Sequence, residues 1–458
     1  MASHKGLRVA VVGAGIGGSA TAHFVRSGDL GVDIAELVVF ERGQRAGGRL
    51  DVVQVDDAGY EAGGSIIHGK NAYMVEFAKM LRLTRQSTPD NELGLFDGQQ
   101  MFLKTSPWTL VTFARMLWRY GLDIFRLNKY TGALLEKFAK IYELQNNGKG
   151  FATPRELVAA MDADFPALLS RTLRENLKQE GFSERFIEEL AMGIVHVNYG
   201  QTPAMPAFVG SVALAGSGAE LWSVKGGNRL VAEGLLEAAR PDRLLFGHSV
   251  DAVRRTAAGQ YELEVRNLDA SQDGVEGPFD LVFLACPAIS NSREAQILFQ
   301  GVPAPVLKPY QRTVATFVPG KMAPLGEPEG ADAPGMVLVT SPSYFVNSIG
   351  SYGPVEAEKK VSEQVHKVFS KAILSSEGLE SLFSELASDK VKICDWLAYP
   401  AYEEGEFNGT DGFSLDPDGH LYHVNRIEDV ASAMEMSCIG AKNCVLLASS
   451  RLLPRAKL

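Results

Sequence analysis

Three glycines and one acid near the start of the chain are spaced to do chemistry. Gly13-Ala14-Gly15-Ile16-Gly17-Gly18 follows a short apolar stretch, Leu7 to Val12, and leads into a run of small residues suited to a helix. A second apolar stretch, Leu37 to Phe40, ends on Glu41. In a strand–helix–strand unit each glycine has its own task. Gly13 makes the tight turn, Gly15 lets the backbone reach a pyrophosphate, and Gly18 allows helix to pack closely on strand, while the helix N-terminus offers free N–H groups and a positive dipole. Glu41 then stands where an acid accepts hydrogen bonds from ribose hydroxyls. The context around the glycines, more than the glycines alone, predicts a dinucleotide site.

The residues after Glu41 point to FAD rather than NAD. Arg42 adjoins the acid, Gly47-Gly48-Arg49 comes one loop later, and Tyr60-Glu61-Ala62-Gly63-Gly64-Ser65 follows a short strand near Leu50 to Val55. Paired glycines let the chain pass close to a flat, bulky ring system, and an arginine beside them offsets pyrophosphate charge. Each pair alone reads as an ordinary turn. Two pairs in this order after a nucleotide-binding strand shift the reading to a flavin.

The elements that must position these groups are those of a large soluble enzyme. The 458 residues are 46% hydrophobic and 22% charged, enough for a sizeable core in two domains. A net charge of −10 with no basic stripe argues against nucleic acid. Cys286, Cys394, Cys438 and Cys444 form no Cys-x-x-Cys, and their apolar surroundings predict buried free thiols. No metal site is expected. The start of the chain lacks the apolar core of a secretory signal, which predicts a protein retained inside the cell, and the terminal Ala456-Lys457-Leu458 resembles a peroxisomal address, leaving peroxisome or cytosol as the expected location.

Along the chain, residues 1 to about 80 read as glycine-rich βα turns. Helices are predicted over Pro107 to Tyr120, Ala133 to Leu144, Arg155 to Met161 and Ser183 to Ile194. The third begins with an N-cap, Thr153, then Pro154, with Glu156 three after the cap. Lys225-Gly226-Gly227-Asn228 opens another helix, and strands are predicted near Leu244 to Phe246, Tyr261 to Val265, Leu281 to Ala285, Thr313 to Val318 and Met336 to Thr340. Helical patterns follow at Ala357 to Leu374 and Leu379 to Leu386. A last helix, Val430 to Met436, and an apolar run, Cys444 to Ala448, close the chain. The fold class expected is α/β: a Rossmann-like FAD-binding domain built from 1–80, 205–300 and 415–458, interleaved with an α+β substrate domain from 81–204 and 301–414.

The N-terminal motifs resemble the amine-oxidase-type flavoprotein superfamily, and longer strings resemble the prenylcysteine oxidase family. Those strings are Gly63-Gly64-Ser65-Ile66-Ile67-His68, Trp118-Arg119-Tyr120-Gly121, Asn198-Tyr199-Gly200-Gln201, Leu221-Trp222-Ser223-Val224, Trp396-Leu397-Ala398-Tyr399-Pro400 and Ala431-Ser432-Ala433-Met434-Glu435-Met436. The resemblance implies oxidation of farnesylcysteine or geranylgeranylcysteine at the thioether, by hydride transfer to FAD, to cysteine, an isoprenoid aldehyde and hydrogen peroxide. It implies a prenylated cysteine and molecular oxygen as partners, with contact at a membrane surface and a peroxisomal import receptor also among those expected. It places Val250 at the adenine, and Glu428 and Ala433 in a segment that brings a helix N-terminus toward the flavin. Gly48, Gly63, Gly64 and Ser65 complete the cofactor set. His68 is the candidate catalytic side chain, although a lone histidine is more often a structural hydrogen-bonder. Trp118, Tyr120, Tyr199, Trp222 and Trp396 are candidates to line a prenyl channel, although most buried aromatics are core. A flavin amine oxidase or carotenoid-type desaturase on the same fold, and a catalytically silent prenyl or lipid carrier, are the alternatives.

Overall fold

A computed structural model describes residues 6–87, 91–216, 220–270, 272–291, 296–328 and 330–453. The tripeptide Ala456-Lys457-Leu458 lies outside the described residues. A five-stranded parallel sheet stands at the centre of the nucleotide-binding half, in the order Arg243–Leu245, Ile34–Phe40, Leu7–Val12, Leu281–Leu284, Leu421–His423. Its strands therefore come from three separated stretches of chain. Alternate side chains enter different cores, as strand geometry requires. Val9, Val11, Leu37 and Val39 pack in one apolar cluster with the helices Ile16–Arg26, Arg229–Ala239 and Met434–Leu452. Ala10, Val12, Val38 and Phe40 pack in another with Val250, Val253, Tyr261 and Leu263 from a second sheet. Burial on both faces explains the unbroken apolar runs in the sequence.

The other half is a mixed eight-stranded sheet backed by helices. Tyr310–Met322 is its longest strand, pairing antiparallel with Val365–Ser370, Phe383–Leu386 and Lys392–Pro400. Beyond these lie Ser348–Tyr352, Met336–Val339, Leu93–Phe96 and Met101–Lys104. The helix Pro154–Met161 starts as its sequence dictates: Thr153 Oγ1 accepts the Glu156 N–H at 3.1 Å, and the Glu156 carboxylate accepts from Ala152 N–H at 3.1 Å.

Several expectations are corrected. The helix expected over Ala357 to Leu374 is instead the strand Val365–Ser370, and that over Leu379 to Leu386 divides into the helix Ser376–Leu382 and the strand Phe383–Leu386. Val365 and Val368 enter different cores, so no polar face marks the strand's period of two. Cys444 to Ala448 belongs to one helix, Met434–Leu452, which begins four residues later than expected. Cys438, Ile439, Ala441, Cys444, Val445 and Ala448 are all fully buried, and burial around most of the helix hides its period. Ala133 to Leu144 spans two helices, Asp123–Phe138 and Lys140–Asn146. All four cysteines are free, but only Cys438 and Cys444 are buried. Among the described residues no helix is long and apolar enough to cross a membrane.

Candidate active site

The three glycines of the first loop are required for three different reasons. Gly13 turns at φ +103°, and a Cβ there would sit 2.7 Å from the Ala285 carbonyl oxygen. A Cβ on Gly18 would sit 1.9 Å from the Gly13 carbonyl oxygen, so helix and loop touch through a missing side chain. Gly15 differs. Its nearest neighbour would be Gly47 O at 3.7 Å, ordinary contact, so the protein's own packing leaves room there. Gly15 is the N-cap of Ile16–Arg26, with no side-chain cap and no acid in the first turn. The space and the free N–H groups face a cavity of about 1080 Å³ that Gly13, Gly15 and Ile16 line. Such a cradle fits a pyrophosphate. Glu41 lines the same cavity while its two oxygens accept the Ala14 and Gly43 N–H groups, each at 2.7 Å. Those bonds fix the carboxylate and leave further lone pairs for hydroxyl donors.

Arg42, Gly48, Arg49, Gly63, Gly64, Ser65, Val250 and Ala433 also line the cavity. Arg49 is held by a built network. Its guanidinium forks onto Glu428 and donates to Ala398 O at 2.7 Å. Glu428, whose side chain is 2% exposed, also accepts from Tyr310 Oη at 2.6 Å and Asn425 Nδ2 at 2.8 Å. Glu428 lies behind the cavity wall. Its place is to hold Arg49, not to line the space where a cofactor would sit.

Ser65 brings in a side chain that sequence reasoning missed. Lys367 Nζ donates to Ser65 Oγ at 2.9 Å and to Glu61 O at 3.1 Å, and stands 4.2 Å from the Tyr352 ring centre. Burial pulls this ammonium down to about 8, against the opposing charge of Glu61. Burial likewise pushes Glu61 up to about 7, with Asn228 N–H bonded to one oxygen at 2.6 Å. The signal for Lys367 is a cation amid Val365, Val368 and Phe369, which the expected helix over Ala357 to Leu374 gave no reason to single out. Glu435, also missed, is buried in the first turn of Met434–Leu452, where it accepts the Tyr73 and Met74 N–H groups and Tyr142 Oη. Burial pushes it up to about 7.

Another part of the lining is apolar and comes from helices distant in sequence. Leu134, Leu135 and Phe138 lie on Asp123–Phe138, Tyr142 on Lys140–Asn146, and Val212, Ala213 and Ala215 on Ala207–Ala215. His68 also lines the cavity. Its Nδ1 accepts the Lys70 N–H at 3.0 Å, which puts the hydrogen of the neutral ring on Nε2, and burial lowers its pKa. Tyr199 and Trp396 line the cavity, and Tyr199 Oη donates to Ser432 O at 2.8 Å. The other three aromatics expected there do not line it. Tyr120 is buried in a helical core against Phe186, Trp222 is buried with Arg85 stacked over it at 4.4 Å, and Trp118 is 86% exposed on the outer surface. A tryptophan string resists distinction between wall, core and surface until the helices are packed.

Comparison with known proteins agrees with this geometry. Residues 11–81 match the NAD(P)-binding Rossmann-like domain family, and residues 103–457 match the prenylcysteine lyase family. Prenylcysteine oxidase 1 of Mus musculus is 35% identical over 97% of this chain and 89% of its own length, and the Homo sapiens protein of the same name is 35% identical over the same shares. Prenylcysteine oxidase 1-like of Mus musculus is 31% identical over 97% of this chain and 90% of its own. Among solved structures, cyclohexylamine oxidase from Brevibacterium oxydans superposes with a TM-score of 0.60 at 16% identity, covering 98% of this chain and 99% of that one. A fatty acid isomerase from P. acnes gives 0.61 at 13% identity, over 99% of both chains. Those structural likenesses speak for the fold, and the sequence matches speak for descent: this chain belongs to the prenylcysteine lyase family.

Proposed function

We propose that this protein is an FAD-dependent prenylcysteine oxidase. A farnesyl or geranylgeranyl thioether of cysteine, with water and oxygen, gives free cysteine, the isoprenoid aldehyde and hydrogen peroxide. The observation that carries the reading is the single cavity whose one wall is the glycine cradle with Glu41 and Arg49, and whose other wall is aliphatic and aromatic, in a chain of this family. Carbon 1 of the substrate is both allylic and next to sulfur, so hydride loss leaves a cation that both neighbours stabilise. Water adds to that carbon, and the hemithioacetal collapses to aldehyde and thiol. When bound, FAD supplies the hydride acceptor and passes the electron pair to oxygen.

The chain's own groups do the rest. The N–H groups after Gly15 would hold the pyrophosphate, Glu41 the ribose, and Val250 the adenine end. Arg49, fixed by Glu428, presents its guanidinium edge at the cavity wall in one orientation. Leu134, Leu135 and Phe138 would bind the isoprenoid and exclude bulk water. His68, neutral with its hydrogen on Nε2, is suited to steady the departing sulfur by a hydrogen bond while the proton of the hemithioacetal hydroxyl ends on that sulfur. Product analysis tests the reading: one aldehyde, one cysteine and one peroxide should form per thioether consumed, and peroxide without free cysteine would refute it.

A further inference from the structure

The helix Thr109–Tyr120 is amphipathic with its apolar side turned outward. Residues at helical spacing on the buried side are Thr112, Met116, Arg119 and Tyr120, held by the Arg119–Glu189 ion pair and by Tyr120 against Phe186. Residues on the solvent side are Leu110, Phe113, Leu117 and Trp118, the opposite of a helix that serves a core. Trp108 is 74% exposed, Leu110 83%, Trp118 86% and, just past the turn, Leu122 70%. Phe113 meets Phe125 of the next helix edge-on at 5.9 Å, so the two helices present one continuous apolar surface. Exposed apolar residues elsewhere are spread along the chain, whereas Trp108, Leu110, Val111, Phe113, Leu117, Trp118, Leu122 and Phe125 fall within eighteen residues, and a patch of this extent marks an interaction site.

Its charge says what covers it. From Trp108 to Lys129, the stretch that carries the exposed apolar residues, the only acid is Asp123, against Arg115, Arg119, Arg126 and Lys129; Arg119 pairs with Glu189 and Arg126 with Asp123, which leaves Arg115 and Lys129 without an ion pair among the described residues, although the whole protein carries −10. Asp123 is buried, paired with Arg126 and accepting the Ser183 N–H at 3.0 Å, so it adds no negative charge to the surface. Arg115 and Lys129 are exposed beside the apolar residues. A second copy of this chain would set two basic rims against each other. An anionic bilayer would match both parts: tryptophans and leucines at the acyl boundary, bases among the headgroups. The patch is also continuous with the cavity. Asp123–Phe138 shows Phe125 to solvent and Leu134 to the cavity, roughly 14 Å further along the helix.

We infer that Thr109–Tyr120 and the first turn of Asp123–Phe138 form a docking face for an anionic lipid bilayer, seated on its surface without crossing it. If the oxidase reading holds, the same helix leads from the bilayer to the site that takes an isoprenoid.

The test uses the full-length, flavin-loaded protein and phosphatidylcholine vesicles with or without phosphatidylserine, with no thioether present. Wild type should sediment with the serine-lipid vesicles, and its tryptophan emission should shift to the blue, because Trp108 and Trp118 are the exposed pair among four tryptophans. Trp118→Glu with Leu122→Glu should weaken binding about tenfold or more. Arg115→Glu with Lys129→Glu should abolish the preference for anionic lipid. An unchanged thermal midpoint shows that the variants fold, and the fluorescence shift of wild type stands without any variant. Wild type left in the supernatant with both vesicles, an unshifted emission, or a dimer that Trp118→Glu with Leu122→Glu dissociates would each overturn the inference. Since the assay contains no substrate, its failure leaves the oxidase reading standing, and failure of turnover leaves the docking face standing.

Discussion

The two walls of the cavity are built on different principles. The nucleotide wall is backbone: glycines where a Cβ would collide, N–H groups at a helix start, and an arginine locked onto a buried carboxylate. The apolar wall is side chain: Leu134, Leu135, Phe138, Val212 and Ala213 from two helices. A backbone cradle has one ligand shape, and a side chain added to it costs either the fold, as at Gly18, or the ligand's space, as at Gly15. An apolar wall tolerates many, and selects by volume. On the proposed function, one cavity would combine strict recognition of a cofactor with graded recognition of a hydrocarbon.

The largest expected effects break the cradle, and they separate its parts. Gly18→Ala should cost more than about 4 kcal/mol of stability, because its Cβ would lie 1.9 Å from a carbonyl oxygen, and thermal melts should show it even without cofactor. Gly15→Ala should fold, at a cost of about 1 kcal/mol or less, yet bind FAD more than tenfold more weakly in a flavin titration. Equal melting losses in the two variants would contradict the division of labour. Glu428→Gln should come next. It strips the charge partner from Arg49, which should cost about 3 kcal/mol and lower flavin occupancy, read by melting and by the absorbance ratio of purified protein.

Effects on the apolar wall should be smaller and should appear in specificity. Leu135→Trp fills part of the cavity, and should lower kcat/KM for the geranylgeranyl substrate about tenfold more than for the farnesyl one. The smallest effect belongs to His68. Burial and Lys70 lower its pKa below the ordinary 6.5, so the midpoint of its titration lies below that pH. Activity from pH 6.5 to 8 should therefore show no step that His68→Gln removes, with kcat/KM down no more than about tenfold. A step near pH 7 that vanishes in this variant would show that the ring titrates.

The same contrast explains what was legible in the sequence. The cradle could be read because Gly13, Gly15, Gly18 and Glu41 are irreplaceable in type and close in sequence. Arg49 was legible, but not the network behind it, since Tyr310 and Glu428 reach it from more than 250 residues away. Lys367 was lost to a helical reading of a strand whose two faces are both buried. On the apolar wall, residue type carried almost no information: Tyr199 and Trp396 line the cavity, Tyr120 and Trp222 pack elsewhere, and Trp118 faces solvent. Leucines that do line it were never candidates, because a leucine in a helix looks the same whether it meets a core or a ligand.

The most direct test of the central claim is anaerobic. Farnesylcysteine added without oxygen to the yellow protein should bleach its absorbance near the flavin maximum, with one aldehyde and one cysteine released per flavin, and air should restore the colour with peroxide. Putrescine and other amines should leave the spectrum unchanged, because an ammonium has no lone pair to stabilise the cation that hydride loss leaves, and the aliphatic wall disfavours its charge. Rapid bleaching by amines, with none from prenyl thioethers, would contradict the account.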